Sequence, residues 1–178
     1  MPRHLRTPPA LAVPGALIVY GTVNPAAPLA LSSLGRRAGW AASRPGIVNV
    51  LGTPLLLAGA CIILRAAAPH ARAWRDREWK ILRIDRDHLL TPDYLVTDGP
   101  YRYTRNPLYI GDLLMWAGWT VLLGSLPVMI GLVALAVGLN VGVRLEERGL
   151  HRKFGATWDR YAATTPRFVG RVNPTLER

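Results

Sequence analysis

Leu108–Leu145 reads LYIGDLLMWAGWTVLLGSLPVMIGLVALAVGLNVGVRL, and the way this run divides decides the fold. Asp112 and Arg144 bracket a stretch that carries no charge. At ~1.5 Å rise per residue, a single helix through it would be roughly 46 Å long, well beyond a ~30 Å hydrocarbon core. Gly124-Ser125-Leu126-Pro127 near the middle is a break signal, because glycine permits a reversal and proline cannot continue a helix ladder. The expected solution is a helical hairpin, Pro107–Leu123 and Pro127–Leu145, with a tight turn between its arms. Pro107 suits a first helical turn, with Asn106 as its cap. Asp112 then lies more than a turn inside the span. A charge at mid-span costs ~2.5–3.5 kcal/mol, so it needs a partner, expected to be Arg144 or Arg105.

The whole chain agrees with a membrane reading. Of its 178 residues, 50% are hydrophobic and 19% charged, and the apolar residues are bunched rather than periodic. The net charge of +11 invites a nucleic-acid partner. The basic residues flank apolar segments instead, so no nucleic acid is expected. Cys61 stands alone inside an apolar segment, which excludes an intrachain disulfide and reads as packing.

Two further apolar segments precede the hairpin. Pro9–Leu31 is interrupted by Pro14, Asn24, Pro25 and Pro28, so its far half is expected to be irregular. Its basic head resembles a signal peptide, but an uncleaved first span suits an even span count better. Gly46–Leu64 has close to the ~20 residues of a span, and Gly52, Gly59 and Ala60 either admit a close neighbour or mark nothing. Arg65–Tyr94 mixes arginines with tryptophans, either as an interfacial amphipathic segment or as a solvated basic loop. After Arg144, Leu150, Phe154, Trp158 and Tyr161 share one helix face, which Gly155 interrupts and Pro166 ends.

The fold expected is an all-α polytopic membrane helix bundle of about four transmembrane helices, with a C-terminal hairpin and a tail helix. It forms one integral membrane domain, with spans and a basic loop over 1–94, a site-bearing region over 95–169 and a loose tail over 170–178. Four spans place both termini on one side with nineteen of the 22 Lys and Arg, leaving Arg36, Arg37 and Arg44 opposite. The positive-inside rule makes the richer side cytoplasmic.

Two polar clusters meet there if the hairpin forms. One is Leu95–Gly111, LVTDGPYRYTRNPLYIG; the other is Arg144, Glu146, Glu147 and Arg148. An aromatic belt at the membrane interface accounts for Tyr101, Tyr103 and Arg102 without any function. It accounts less well for Asn106-Pro107 followed by Tyr109, Gly111 and Asp112. Glu146 and Glu147 read either as snorkelling or solvated carboxylates or as supplying an inward-facing functional carboxylate, and acids at a helix C-terminus oppose the macrodipole, which weakens the first. Neighbouring helical residues point about 100° apart, so one glutamate faces the bundle; which one stays open. No metal-ligand spacing is present, and no metal is expected. His4, His70, His88 and His151 are scattered and read as surface residues. A pocket of Arg, Tyr, Asn and Glu remains, suited to a zwitterionic ligand.

LVTDGPYRYTRNPLYIG, an apolar hairpin and then RLEERGLHRKFGATWDRYAATTPRFV together resemble the isoprenylcysteine carboxyl methyltransferases and their phospholipid methyltransferase relatives. The likeness covers roughly Leu95–Val169. It implies S-adenosylmethionine as methyl donor and a lipophilic acceptor entering from the bilayer. It implies that Tyr101, Arg105, Asn106, Tyr109 and Glu146 or Glu147 line the cofactor pocket, with Leu95, Val96 and Gly99 near the adenine. Arg105, Glu147 and Arg167 are the residues it suggests for catalysis. Arg167 stands in for an arginine that many members carry two residues before the tail proline, where this chain has Thr164. Asn106 replaces a frequent histidine, so any role there is positional. With no histidine expected in the pocket, a carboxylate or thiolate acceptor is favoured over an amine. The competing readings are an NADPH-dependent sterol-type reductase and a lipid-binding scaffold without activity. An alanine- and proline-rich basic chain suggests a bacterial inner membrane.

Overall fold

The computed structural model describes residues 21–22, 24–35, 46–75 and 95–170, and these residues are helical or irregular, with no strand among them. Helix α1 covers residues 24–33, α2 Ile47–Val50, α3 Gly52–Arg75, α4 Pro107–Leu123, α5 Leu126–Phe154 and α6 Ala156–Ala162. A 3-10 turn, Gly99–Arg102, precedes α4. The stretch Ile47–His70, at 24 residues, and α5, at 29, are long and apolar enough to cross a membrane; α4 has 17 residues. Large apolar side chains such as Leu57, Leu64, Ile130, Val133, Val137 and Val141 point outward. On a water-soluble protein such a surface would be a liability, whereas in a bilayer it matches the solvent.

The hairpin forms where the sequence places it. Gly124 takes a left-handed conformation (φ 54°) and closes α4 by donating its N–H to the Thr120 carbonyl at 3.0 Å. Pro127 follows within the first turn of α5, where its missing N–H costs no helical bond. Arm α5 runs on through the charged residues to Phe154, and Gly155 (φ 49°) breaks it from α6.

Helices α3 and α4 share the most extensive contact, and glycines set their distance. A Cβ on Gly59 would sit 2.5 Å from the Gly111 carbonyl oxygen, and one on Gly118 would sit 2.8 Å from that of Gly52. The paired positions run in opposite directions along two turns, so the helices are antiparallel and nearly touch backbone to backbone. Gly52 and Gly59 were the small residues singled out in the sequence; their partners Gly111 and Gly118 had given no signal of their own. Asn49 reinforces the seam from α2. It is buried, and its Nδ2 donates to the carbonyls of Val121 (2.9 Å) and Leu122 (3.3 Å) in the last turn of α4.

Several expectations need correction. The second helix does not stop at Leu64 but continues to Arg75, through Ala66-Ala67-Ala68 and the internal Pro69. Arginine ended the apolar stretch, but strong helix formers kept the helix going. The far half of the first segment is helical over 24–33 rather than irregular, and Ser32 and Ser33 donate to the carbonyls of Leu29 and Ala30 near its end. Its near half, the tail 171–178 and most of Arg65–Tyr94 lie outside the described residues. Cys61 is exposed on α3 rather than packed inside. Asp112 has a partner the sequence did not suggest: its Oδ1 accepts a 2.6 Å hydrogen bond from Asn24 Nδ2 on α1. The prolines that made the first segment look weak had hidden Asn24 as the partner.

Candidate active site

The two polar clusters converge. Residues 95–106, the start of α4, the polar end of α5 and α6 enclose a cleft of about 120 Å³. That is smaller than the roughly 300 Å³ of a typical ligand pocket, so a ligand here would extend through the open side.

The cleft floor is apolar. Leu150 and Trp158 are buried, with Leu95, Phe154 and Tyr161 packed on them. The break at Gly155 makes this possible, because it turns α6 back against the end of α5. One helix face in the sequence thus becomes two facing walls.

The tail is strapped across the segment that leads into α4. The Arg105 N–H donates to the Pro166 carbonyl at 2.9 Å. Thr104 Oγ1 and Asn106 Nδ2 donate to the Arg167 carbonyl at 3.1 and 2.8 Å. Asn106 holds the cap position of α4, but its side chain makes no capping bond and serves this strap instead. Side chains repeat the connection. Arg105 Nη1 lies 3.4 Å from Glu147 Oε1, and Arg167 Nε donates to Glu147 Oε2 at 2.9 Å. The Arg105 and Glu147 side chains are 7% and 11% exposed, so their pair is nearly dry, while the Arg167 side chain is 36% exposed. The Arg105 guanidinium also stands over the Trp158 ring, 5.6 Å from its centroid.

The two glutamates therefore separate. Glu147 faces Arg105 and Arg167, whereas Glu146 lines the cleft and accepts the Tyr109 hydroxyl at 2.9 Å. Tyr101 is buried, and its hydroxyl lies 2.8 Å from His70 Nε2. Tyr161 donates its hydroxyl to the Tyr101 carbonyl at 2.8 Å. Burial pushes the Tyr161 hydroxyl well above its ordinary range, outweighing the opposing pull of Arg105, so it remains a donor.

Of the residues picked out in the sequence, Leu95, Val96, Tyr101, Arg105, Asn106, Tyr109 and Glu146 line the cleft. Gly99, Glu147 and Arg167 do not. Gly99 (φ 60°) opens the 3-10 turn, where a Cβ would meet Pro69 at 3.4 Å, on the side of α3. His70, Leu108, Leu150, Trp158 and Tyr161 also line the cleft. Leu150, Trp158 and Tyr161 are visible in the sequence as one helix face, which by itself does not point to a cleft. His70 reads in the sequence as a surface residue of the basic stretch after Leu64, and the continuation of α3 to Arg75 carries it to the cleft.

These features define a polar cleft at the end of apolar helices, built from one carboxylate, one guanidinium and several aromatic rings. The sequence model of the Phospholipid methyltransferase family matches residues 48–157, and the chain belongs to that family. It is a methyltransferase with membrane-spanning character. No curated protein sequence and no solved structure gives a match.

Proposed function

We propose that the chain transfers a methyl group from S-adenosylmethionine to a lipophilic acceptor at the cytoplasmic membrane face. The observation that carries this reading is Glu146, a carboxylate held by Tyr109 inside a cleft walled by Tyr101, Trp158 and Tyr161. The donor set fits such a cofactor. Glu146 suits an ammonium or ribose hydroxyls, Arg105 suits a carboxylate, and the aromatic faces suit an adenine and a sulfonium cation. Leu95 and Val96 offer apolar contact beside them.

The bound donor supplies a methyl group already activated on sulfur. The chain's residues then have to bind, orient and keep out water. Glu146 and Arg105 fix the polar ends of the ligand. Glu147 and Arg167 position Arg105 by holding the tail strap in place. Leu108, Leu150 and Trp158 give the cleft apolar lining that suits a lipophilic acceptor. A preference for a carboxylate or thiolate acceptor rested on a cleft without histidine, and His70 removes that ground.

The test is thermal stability of the detergent-purified protein with S-adenosylhomocysteine, against NADPH as control. A rise in Tm with the first alone supports the reading. A rise with NADPH alone indicates a reductase, and absence of binding to either in lipid nanodiscs indicates a scaffold.

A further inference from the structure

His70 and Tyr101 make a contact that donor binding does not require. His70 stands at the end of the apolar stretch of α3, and Tyr101 lies in the 3-10 turn, 31 residues later. The imidazole Nε2 is 2.8 Å from the phenol oxygen, and the rings meet edge-on at 81° with centroids 5.3 Å apart. Both side chains line the cleft, and among the described residues His70 is the only imidazole that does. The contact is built by several elements. Tyr161 holds the Tyr101 backbone at 2.8 Å, and Gly99 takes φ 60° where the turn passes Pro69, the residue before His70.

We propose that His70 and Tyr101 form the proton-accepting pair of this site and prepare a protonated nitrogen for methylation. This rests on the methyltransferase reading above and adds two residues and a step to it. A phenol can accept a proton on oxygen while it gives its own away. An ammonium at the cleft passes one N–H proton to the Tyr101 oxygen as the Tyr101 proton moves to His70 Nε2. The nitrogen keeps the electron pair of the broken N–H bond. That pair forms the new N–C bond as the C–S bond of the sulfonium donor breaks, leaving its electrons on sulfur. The charge of the ammonium ends on the imidazolium, and that of the sulfonium ends on the methylated nitrogen, so the step balances. An imidazole ordinarily titrates near 6.5 and an alkyl ammonium near 10, so the transfer is uphill alone and is drawn on by the methylation that follows. A carboxylate or thiolate acceptor would not need the pair.

The experiment uses the full chain in nanodiscs with three measurements. The first is S-adenosylhomocysteine binding by the native protein, His70→Gln and Tyr101→Phe. The second is labelled methyl transfer from pH 6 to 9.5 to phosphatidylethanolamine and, separately, to oleic acid. The third is the 15N signal of His70 at pH 7.5 with S-adenosylhomocysteine and dodecylamine, which cannot turn over; dodecanol is the control. Product-analogue binding by each protein sets the donor concentration, so that transfer is compared with the donor site saturated in all three and a change in donor affinity is separated from a loss of proton transfer. Transfer to the amine should fall about 100-fold in His70→Gln and at least tenfold in Tyr101→Phe near pH 7, in line with general-base contributions. It should recover toward pH 9.5, where the amine loses its proton unaided. With no methyl group to draw the proton on, His70 should stay neutral with dodecylamine as with dodecanol, its Nε2 the acceptor from Tyr101; an Nε2 that carries the hydrogen itself overturns the pair.

Asp98, Arg105, Tyr109, Glu146 and Tyr161 also bear on the pair from the flanking segments, and both variants leave them in place. Native protein that binds the product analogue but methylates only oleic acid, or neither acceptor, overturns the pair's role. Equal loss on both acceptors, or loss that is flat with pH, overturns it as well. Failure of the native protein to bind the product analogue strikes the methyltransferase reading itself.

Discussion

Tyr109 on α4 donates its hydroxyl to Glu146 Oε2 on α5, 2.9 Å away and 37 residues further along the chain. The bond ties the two arms of the hairpin at the end where the cleft opens, and it fixes a carboxylate toward a ligand. Glu146→Gln keeps the shape and can still accept from Tyr109, but it loses the charge. Hydrogen bonds to charged groups are worth about 1.5–3 kcal/mol, so S-adenosylhomocysteine affinity should fall roughly ten- to 100-fold with little change in Tm. Calorimetric titration checks this, and unchanged affinity would remove Glu146 from the binding site.

Glu147 should behave in the opposite way. Its carboxylate holds Arg105 and Arg167, and the Arg105 side chain is only 7% exposed. Glu147→Ala removes the carboxylate that Arg105 and Arg167 share, and breaking a buried ion pair costs about 3–5 kcal/mol. The expected result is a large drop in Tm, with product-analogue affinity partly retained in the fraction that stays folded. Changing Arg105 as well removes the other half of that pair, so the double variant Glu147→Ala with Arg105→Met should be no less stable than Glu147→Ala alone. Additive losses in that pair would contradict a shared ion cluster.

The contrast between the two glutamates marks the limit of what the sequence shows. Uncharged length against bilayer thickness predicted the hairpin, and glycine-proline chemistry placed its turn at Gly124. The same reasoning brought Arg105, Tyr109 and the two acids to one end. It did not separate Glu146 from Glu147, because their directions depend on where the tail returns. That return depends on Gly155 turning α6 back, and on backbone bonds from Arg105 to Pro166 that leave no side-chain pattern. His70 escaped notice for a related reason. Hydropathy locates the end of an apolar span, whereas helix propensity sets the end of the helix, and in α3 the two differ by several residues.

Gly59 tests the seam between α3 and α4. A methyl group there meets the Gly111 carbonyl at 2.5 Å, and neither backbone can yield without moving its helix. Gly59→Ala should destabilise the protein by about 1–3 kcal/mol, the usual cost of overpacking. Gly138 and Gly142 on α5 have open space where a Cβ would go, so alanine there should stay within about 1 kcal/mol of the native chain. Unfolding in mixed micelles, followed by helical circular dichroism, measures all three.

Asn24 and Asp112 offer the last test, because the contact crosses 88 residues and joins α1 to the core of the bundle. Asn24 is 5% exposed, and Asp112 lies within α4, where an unpartnered carboxylate would be costly. Hydrogen bonds between membrane helices contribute about 0.6 kcal/mol on average and about 1.7 at most, since the alternative partners in a bilayer are few but not absent. A double-mutant cycle with Asn24→Ala and Asp112→Ala should therefore give a coupling in that range or somewhat above it, as an ionised acceptor strengthens the bond. Asp112→Asn keeps hydrogen bonding without the charge and should lose less stability than Asp112→Ala. A coupling near zero would mean that α1 is held by its apolar contacts alone, such as that of Leu31 beside Gly131, and that the charge in α4 is neutralised elsewhere.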